Sequence, residues 1–117
     1  MSRELHQGCV YACDLTNGRG SEEQGVRPCI IMPTTTNCMI GDTVLVVPIT
    51  KNINHIGLWD SHVGILNEQH DLVTAMVDHA RDVDKTYVQK YLYTLDDVQF
   101  HKVQEAFLKW IGVLCVE

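Results

Sequence analysis

Apolar residues come in short runs broken by polar clusters from residue 8 to residue 94, then change to a longer period, and that change divides the chain into a strand-rich body and one helix. Residues 8–15 (GCVYACDL) are rich in Val, Tyr and Cys and stop at the turn cluster Thr16, Asn17, Gly18, which predicts a first strand. Residues 29–32 form an apolar run closed by Pro33, too short for a helix, and predict a second. After the polar connection TTTNCMIGD, residues 43–49 (TVLVVPI) are β-branched and nearly continuous, the pattern of a strand buried on both faces. Pro48 belongs at the end or edge of that strand, where no ladder donor is needed. Residues 51–59 follow neither period and predict a loop. Residues 62–66 predict a fourth strand, NEQHD its turn, and residues 72–77 a fifth that runs into the charged segment 78–85. Residues 86–93 fit a short helical turn followed by an edge strand.

The clearest helix is the last element. Phe100, Val103, Phe107, Trp110, Ile111 and Leu114 recur at three- and four-residue steps and so share a face, with Lys102, Glu105 and Lys109 elsewhere on the wheel. Thr94 or Asp96 would cap its start, and Asp97 adds negative charge where the helix dipole favours it. Trp110 is expected to pack in the core. Short strands followed by one amphipathic helix predict a mainly β (α+β) fold, a strongly curved sheet or small barrel with the helix laid against it.

The length of 117 residues suits one domain, 1–117, with one core. A composition of 45% hydrophobic and 21% charged residues lies far from the regime of disorder. No apolar run is long enough to span a membrane or to resemble a secretory leader, so a soluble, cytoplasmic protein is expected. Cys9, Cys13, Cys29, Cys38 and Cys115 are odd in number and mostly in apolar surroundings, which predicts reduced core thiols. The spacing of Cys9 and Cys13 has no second Cys/His pair at zinc-site distance, so no metal and no cofactor are expected. A net charge of −6 argues against a protein that coats nucleic acid, because that affinity comes from many Lys/Arg contacts to phosphate. Any nucleic-acid site must be local.

One stretch stands apart. GSEEQGVRP, residues 20–28, is too polar for core and too varied in chemistry for a plain turn. Together with GCVYACDL before it, Asn37 and TVLVVPIT after it, His62–Val63, and RDVDK at 81–85, it resembles the MazF/PemK family of toxin endoribonucleases. That family carries a strand of the type GDVYxxDL, a loop close to GSEQxGxRP, a strand ending in PIT or AIT, and a segment close to RTIDK before a C-terminal helix. The resemblance spans nearly the whole chain. Cys9 replaces the usual acid, and Glu23 and His79 stand where glutamine is common.

The resemblance implies an SH3-like small β-barrel of the CcdB/PemK toxin type and a set of site residues. Arg27 matches the catalytic arginine; its planar fork suits two phosphate oxygens and its permanent charge makes it a poor proton donor. By itself, Arg27 also reads as a loop arginine pairing with Glu22 or Glu23. Thr50 matches the catalytic threonine, whose hydroxyl can hold a phosphate in line. Asp78 matches an acidic position proposed as general base, and His79 offers a ring titrating nearer neutrality; the two can share a site only if the strand ends or bulges there, since neighbours on a strand face opposite ways. Ser21, Glu22, Gln24 and His79 are implied as RNA-binding, and His62 also matches.

The chemistry implied is metal-independent, sequence-selective cleavage of single-stranded RNA by the neighbouring 2′-hydroxyl, leaving a 2′,3′-cyclic phosphate and a 5′-hydroxyl. The implied partners are single-stranded RNA, a cognate antitoxin and a second copy in a homodimer. Two other readings share the fold: a CcdB-like toxin that poisons gyrase without nuclease activity, and a catalytically dead interaction module.

Overall fold

The computed structural model describes residues 4–16 and 25–114. Strands β1 (Cys9–Asp14), β2 (Val26–Ile31) and β3 (Thr43–Thr50) are followed by β4 (His62–Leu66), β5 (Leu72–Met76), β6 (Arg81–Asp84) and β7 (Val88–Thr94). A single-turn helix, α1 (Thr35–Cys38), lies in the connection before β3, and α2 (Asp97–Trp110) closes the chain. All pairings are antiparallel, in the order β4-β5-β3-β2-β1-β7, with β6 also on β3. The α+β class with a C-terminal helix is as expected. The path has two ends, β4 and β7, so among the described residues the sheet is an open one rather than a closed barrel.

β3 is the hub. Its Val46, Val47 and Pro48 pair with β2, its first half pairs with β6, and Ile49 and Thr50 pair with Ala75 and Thr74 of β5. β5 and β6 thus run along the same side of β3, and residues 76–80 stand against only Val47 and Pro48. The surplus is taken up by a 3-10 turn, Val77–His79. Pro48 is inside the strand rather than at its end, but it falls where neither β5 nor β6 reaches, so its missing N–H interrupts no ladder on that side.

Two differences from the sequence reading have simple causes. β2 begins at Val26, so Arg27 and Pro28 belong to a strand rather than a loop: the polar half of β2 pairs with β1 alone, which accommodates Pro28 and leaves Arg27 exposed. The charged segment contains β6, in which only Val83 is fully buried and the other side chains face outward or lie half-buried. Its basic ends hold loops: Arg81 donates to the Leu15 carbonyl (3.0 Å) and Lys85 to that of Gly41 (2.8 Å). Register shifts between β1 and β7 bend β7 around β1.

Both faces of the central strands are buried. Tyr11, Cys13, Cys29 and Ile31 fill one side with Val46 and Val83; Val10, Ile30, Val47 and Ile65 fill the other with Val103 and Ala106 of α2. Cys9, Cys13, Cys29 and Cys38 are buried free thiols, as expected for core residues; Cys115 lies outside the described residues. The adjacent Cys13, with burial, pushes the Cys29 thiol far up, so it stays protonated. No helix of the described residues is long and apolar enough to cross a membrane.

Asp96 caps α2, accepting from Gln99 N at 2.8 Å. The buried stripe is Gln99, Val103 and Ala106, with Phe100 and Phe107 packed beside it. Trp110, expected in the core, is 55% exposed, and Ile111 and Leu114 are also exposed. The helix packs on β4 and the 3-10 turn, and the residues after Phe107 contribute none of its buried stripe. It ends in a Schellman motif at Gly112 (φ +84°), with Val113 N to Leu108 O at 2.8 Å and Gly112 N to Lys109 O at 3.1 Å, which takes the following residues off the stripe.

Candidate active site

The β2–β3 pairing ends at Cys29 opposite Pro48, and Arg27 and Thr50 stand two residues beyond it on their strands. Both line one cleft of about 540 Å³. Its walls are the start of β2, the end of β3 with Lys51, the β4–β5 turn at Asn67, Glu68 and Gln69, and Leu92 and Tyr93 of β7. Four segments distant in sequence therefore meet around one arginine and one threonine.

Each is held by backbone. Arg27 is paired with Cys13 on β1 and followed by Pro28, which fixes its exit direction. Thr50 Oγ1 accepts from Asn52 N (3.2 Å), which leaves its O–H to donate. The Asn52 carbonyl accepts from the buried Thr74 hydroxyl (2.8 Å), and Asn52 Oδ1 from Asn54 N (2.9 Å), so the chain leaving Thr50 is tied down at once.

The β4–β5 turn is equally defined. Asn67 Oδ1 accepts from the amides of Gln69 and Asp71, both at 2.9 Å, and His70 takes a left-handed φ of +63°. The strand entering it is anchored to α2, since Leu66 N donates to Gln99 Oε1 at 3.0 Å. Across the cleft, burial and the Glu68 charge push the Tyr93 phenol up to about 12, so it stays a neutral donor at any working pH.

Asp78 and His79 stand on the 3-10 turn between β5 and β6 and are not among the residues lining this cleft. The turn breaks strand alternation, and Asp78 meets two rings: His62 Nε2 at 3.4 Å from Oδ1 and His79 Nε2 at 3.8 Å from Oδ2. His62 is buried, edge-on to Trp59 (4.9 Å) and His55 (5.4 Å), which stack on each other at 3.7 Å. Ser21, Glu22 and Gln24 lie outside the described residues. No group of three or more His, Cys, Asp or Glu among the described residues is placed to hold a metal ion.

Sequence reasoning did not find Lys51, Asn67, Glu68, Gln69 or Tyr93. Lys51 follows Thr50 directly and adjacency could have suggested it. The others had read as a turn and an edge strand, and only strand register brings them to Arg27.

A family model described as PemK-like, MazF-like toxin of type II toxin-antitoxin system matches residues 6–111. The Endoribonuclease MazF of Staphylococcus saprophyticus is 30% identical over 105 residues, covering 87% of each chain. The crystal structure of MazF from Deinococcus radiodurans superposes with a TM-score of 0.80 at 15% identity, over 95% of this chain and 99% of that one. An endoribonuclease in complex with its cognate antitoxin from a mycobacterial species gives 0.76 at 19% identity, over 96% and 99%.

Proposed function

The chain belongs to the PemK-like, MazF-like toxins of type II toxin-antitoxin systems, and on that premise we propose that it is an endoribonuclease that cuts single-stranded RNA at the cleft holding Arg27 and Thr50. The observation that carries the reading is that these two residues line one cleft. Arg27 grips two non-bridging oxygens of the scissile phosphate and the Thr50 hydroxyl donates to the same group, so the phosphate is held while the neighbouring 2′-oxygen attacks in line. Lys51 adds a second cation where charge accumulates. The products are a 2′,3′-cyclic phosphate and a 5′-hydroxyl.

Ser21, Glu22 and Gln24 precede β2 in the sequence and are proposed to hold the RNA beside Arg27 by hydrogen bonds. Asp78 and His79 are proposed to meet RNA on the turn between β5 and β6. For Asp78 to act as base, a 2′-hydroxyl must come within hydrogen-bond reach of a carboxylate now engaged with His62 and His79. With a net charge of −6, the chain favours a local, selective grip on unpaired bases over broad backbone binding. The working form is proposed to be a homodimer, neutralised by an antitoxin.

Incubating the purified protein with a long RNA tests the reading. Discrete cuts that Arg27→Ala slows strongly are expected; intact RNA together with gyrase arrest would move the chain to the gyrase poisons.

A further inference from the structure

We infer that Glu68, in the turn between β4 and β5, is the general base of this cleft, taking the 2′-hydroxyl proton of an RNA whose phosphate is held by Arg27 and Thr50. The inference rests on the endoribonuclease reading above and adds to it a group that neither the motifs nor the family description supplies.

Three observations carry it. The first is chemical inventory. The residues lining the cleft provide cations (Arg27, Lys51), hydroxyls (Thr50, Tyr93) and amides, and among them Glu68 is the one carboxylate. Arginine and lysine are protonated at neutral pH and the hydroxyls are too weakly acidic to be ionised, so among the described residues of the cleft Glu68 is the one carboxylate acceptor. The second is positioning. The Asn67 side chain closes the turn over Gln69 N and Asp71 N, and Gln99 of α2 holds its entry strand, so the backbone carrying Glu68 is preorganised on the rigid sheet. The third is proximity. Glu68 is exposed and lines the cleft together with Tyr93, whose half-buried phenol feels its charge. Asp78, by contrast, is engaged with His62 and His79 outside the cleft lining.

In the step, Glu68 takes the 2′-hydroxyl proton and the freed electron pair forms the O2′–P bond. The P–O5′ bond breaks, and the departing 5′-oxygen takes a proton from solvent water. The resulting hydroxide recovers the proton from Glu68, which returns as carboxylate. Charge balances with no oxidant, metal or further reactant.

The test is cleavage of a long single-stranded RNA by wild type, Glu68→Gln, Glu68→Ala, Glu68→Asp, Asp78→Asn, Glu22→Gln and the neighbouring control Asp71→Asn, measured across pH. Glu68→Gln is expected to lower kcat by roughly 10²–10⁴-fold with KM little changed, and to abolish the acidic limb of the pH profile. Added formate should restore part of the rate to Glu68→Ala, and Asp71→Asn should cut like wild type. Glu68→Asp, which keeps the carboxylate but withdraws it by one methylene, should be slow with the limb retained, and carries the test if Glu68→Gln misfolds. Wild-type cleavage with full activity in Glu68→Gln, or loss of the acidic limb in Asp78→Asn or Glu22→Gln instead, overturns the assignment alone. Absence of cleavage by wild type overturns the endoribonuclease reading and the assignment with it.

Discussion

His62 Nε2 and Asp78 Oδ1 face each other at 3.4 Å, and among the described residues neither atom has a well-formed hydrogen bond to any group. His62 comes from the first position of β4 and Asp78 from the 3-10 turn, so the pair pins that turn to the strand beneath α2. Removing one partner strands the other in a buried position, which costs more than the contact is worth in water. Asp78→Ala is therefore expected to lose about 1–3 kcal/mol of stability. Urea unfolding measures it, and His62→Ala/Asp78→Ala should lose less than the sum of the single changes because the pair acts as a unit.

The Tyr93 phenol gives a pH dependence of definite sign. Its folded value, about 12, lies above the ordinary value of 10.0, raised by burial first and by Glu68 second. Between those two values the unfolded chain has released the proton that the folded chain keeps, so unfolding is favoured as pH rises: this contribution is complete below pH 10 and lost through pH 12. The phenol is only half-buried, so after screening the effect is on the order of 1 kcal/mol. Tyr93→Phe should remove that part of the alkaline loss in melting temperature, and an unchanged alkaline profile would refute the account.

Much of the fold is legible in the chain because its strands are bounded by strong breakers: residues 62–66 emerge as β4 without change, and Asp96 caps α2 as its chemistry predicts. What is not legible depends on partners. Residues 81–84 look like a solvated charge run because only Val83 reaches the core, and they become a strand because β3 offers a free edge. Val26–Pro28 read as loop because half of β2 has a single neighbour. Trp110 has the right period for the core, but periodicity cannot say where the supporting sheet stops. The site divides likewise: Arg27 and Thr50 sit in motifs, whereas Glu68 sits in an ordinary NEQHD turn and acquires chemical meaning only from what the register brings near it.

The exposed end of α2 bears on assembly. Trp110, Ile111, Val113 and Leu114 are all exposed around the end of α2, an apolar cluster suited to a partner surface. A homodimer at micromolar concentration is expected, and Trp110→Lys should weaken it. Sedimentation showing only a 13.2 kDa species, unaffected by the substitution, would count against a dimer that covers this surface.

The products report the nucleophile. A 2′-deoxy sugar at the cut position removes the attacking group, so that substrate should survive where the all-ribose strand is cut. Attack by the neighbouring 2′-oxygen needs no metal-bound hydroxide, so EDTA should leave the rate unchanged. A 5′-phosphate on the product would show that water, not the 2′-oxygen, attacks.

Arg27 and Thr50 give the sharpest test, because they come from different strands and line one cleft. Arg27→Ala should cost on the order of 3 kcal/mol, roughly a hundredfold in rate, comparable to deleting one preorganised donor from an oxyanion hole. Arg27→Lys should recover little, since an ammonium keeps the charge and loses the two-point grip. Neither should unfold the protein, because Arg27 is exposed on the half of β2 that only β1 supports; melting and sedimentation are the controls. Thr50→Ala should slow cleavage in the same direction. If both residues hold one phosphate, losing the first lets it shift away from the second, and the double variant should fall short of the product of the single effects. Full multiplicativity in a correctly folded double variant would mean that the two residues act on different groups, and that the cleft they share holds something other than one scissile phosphate.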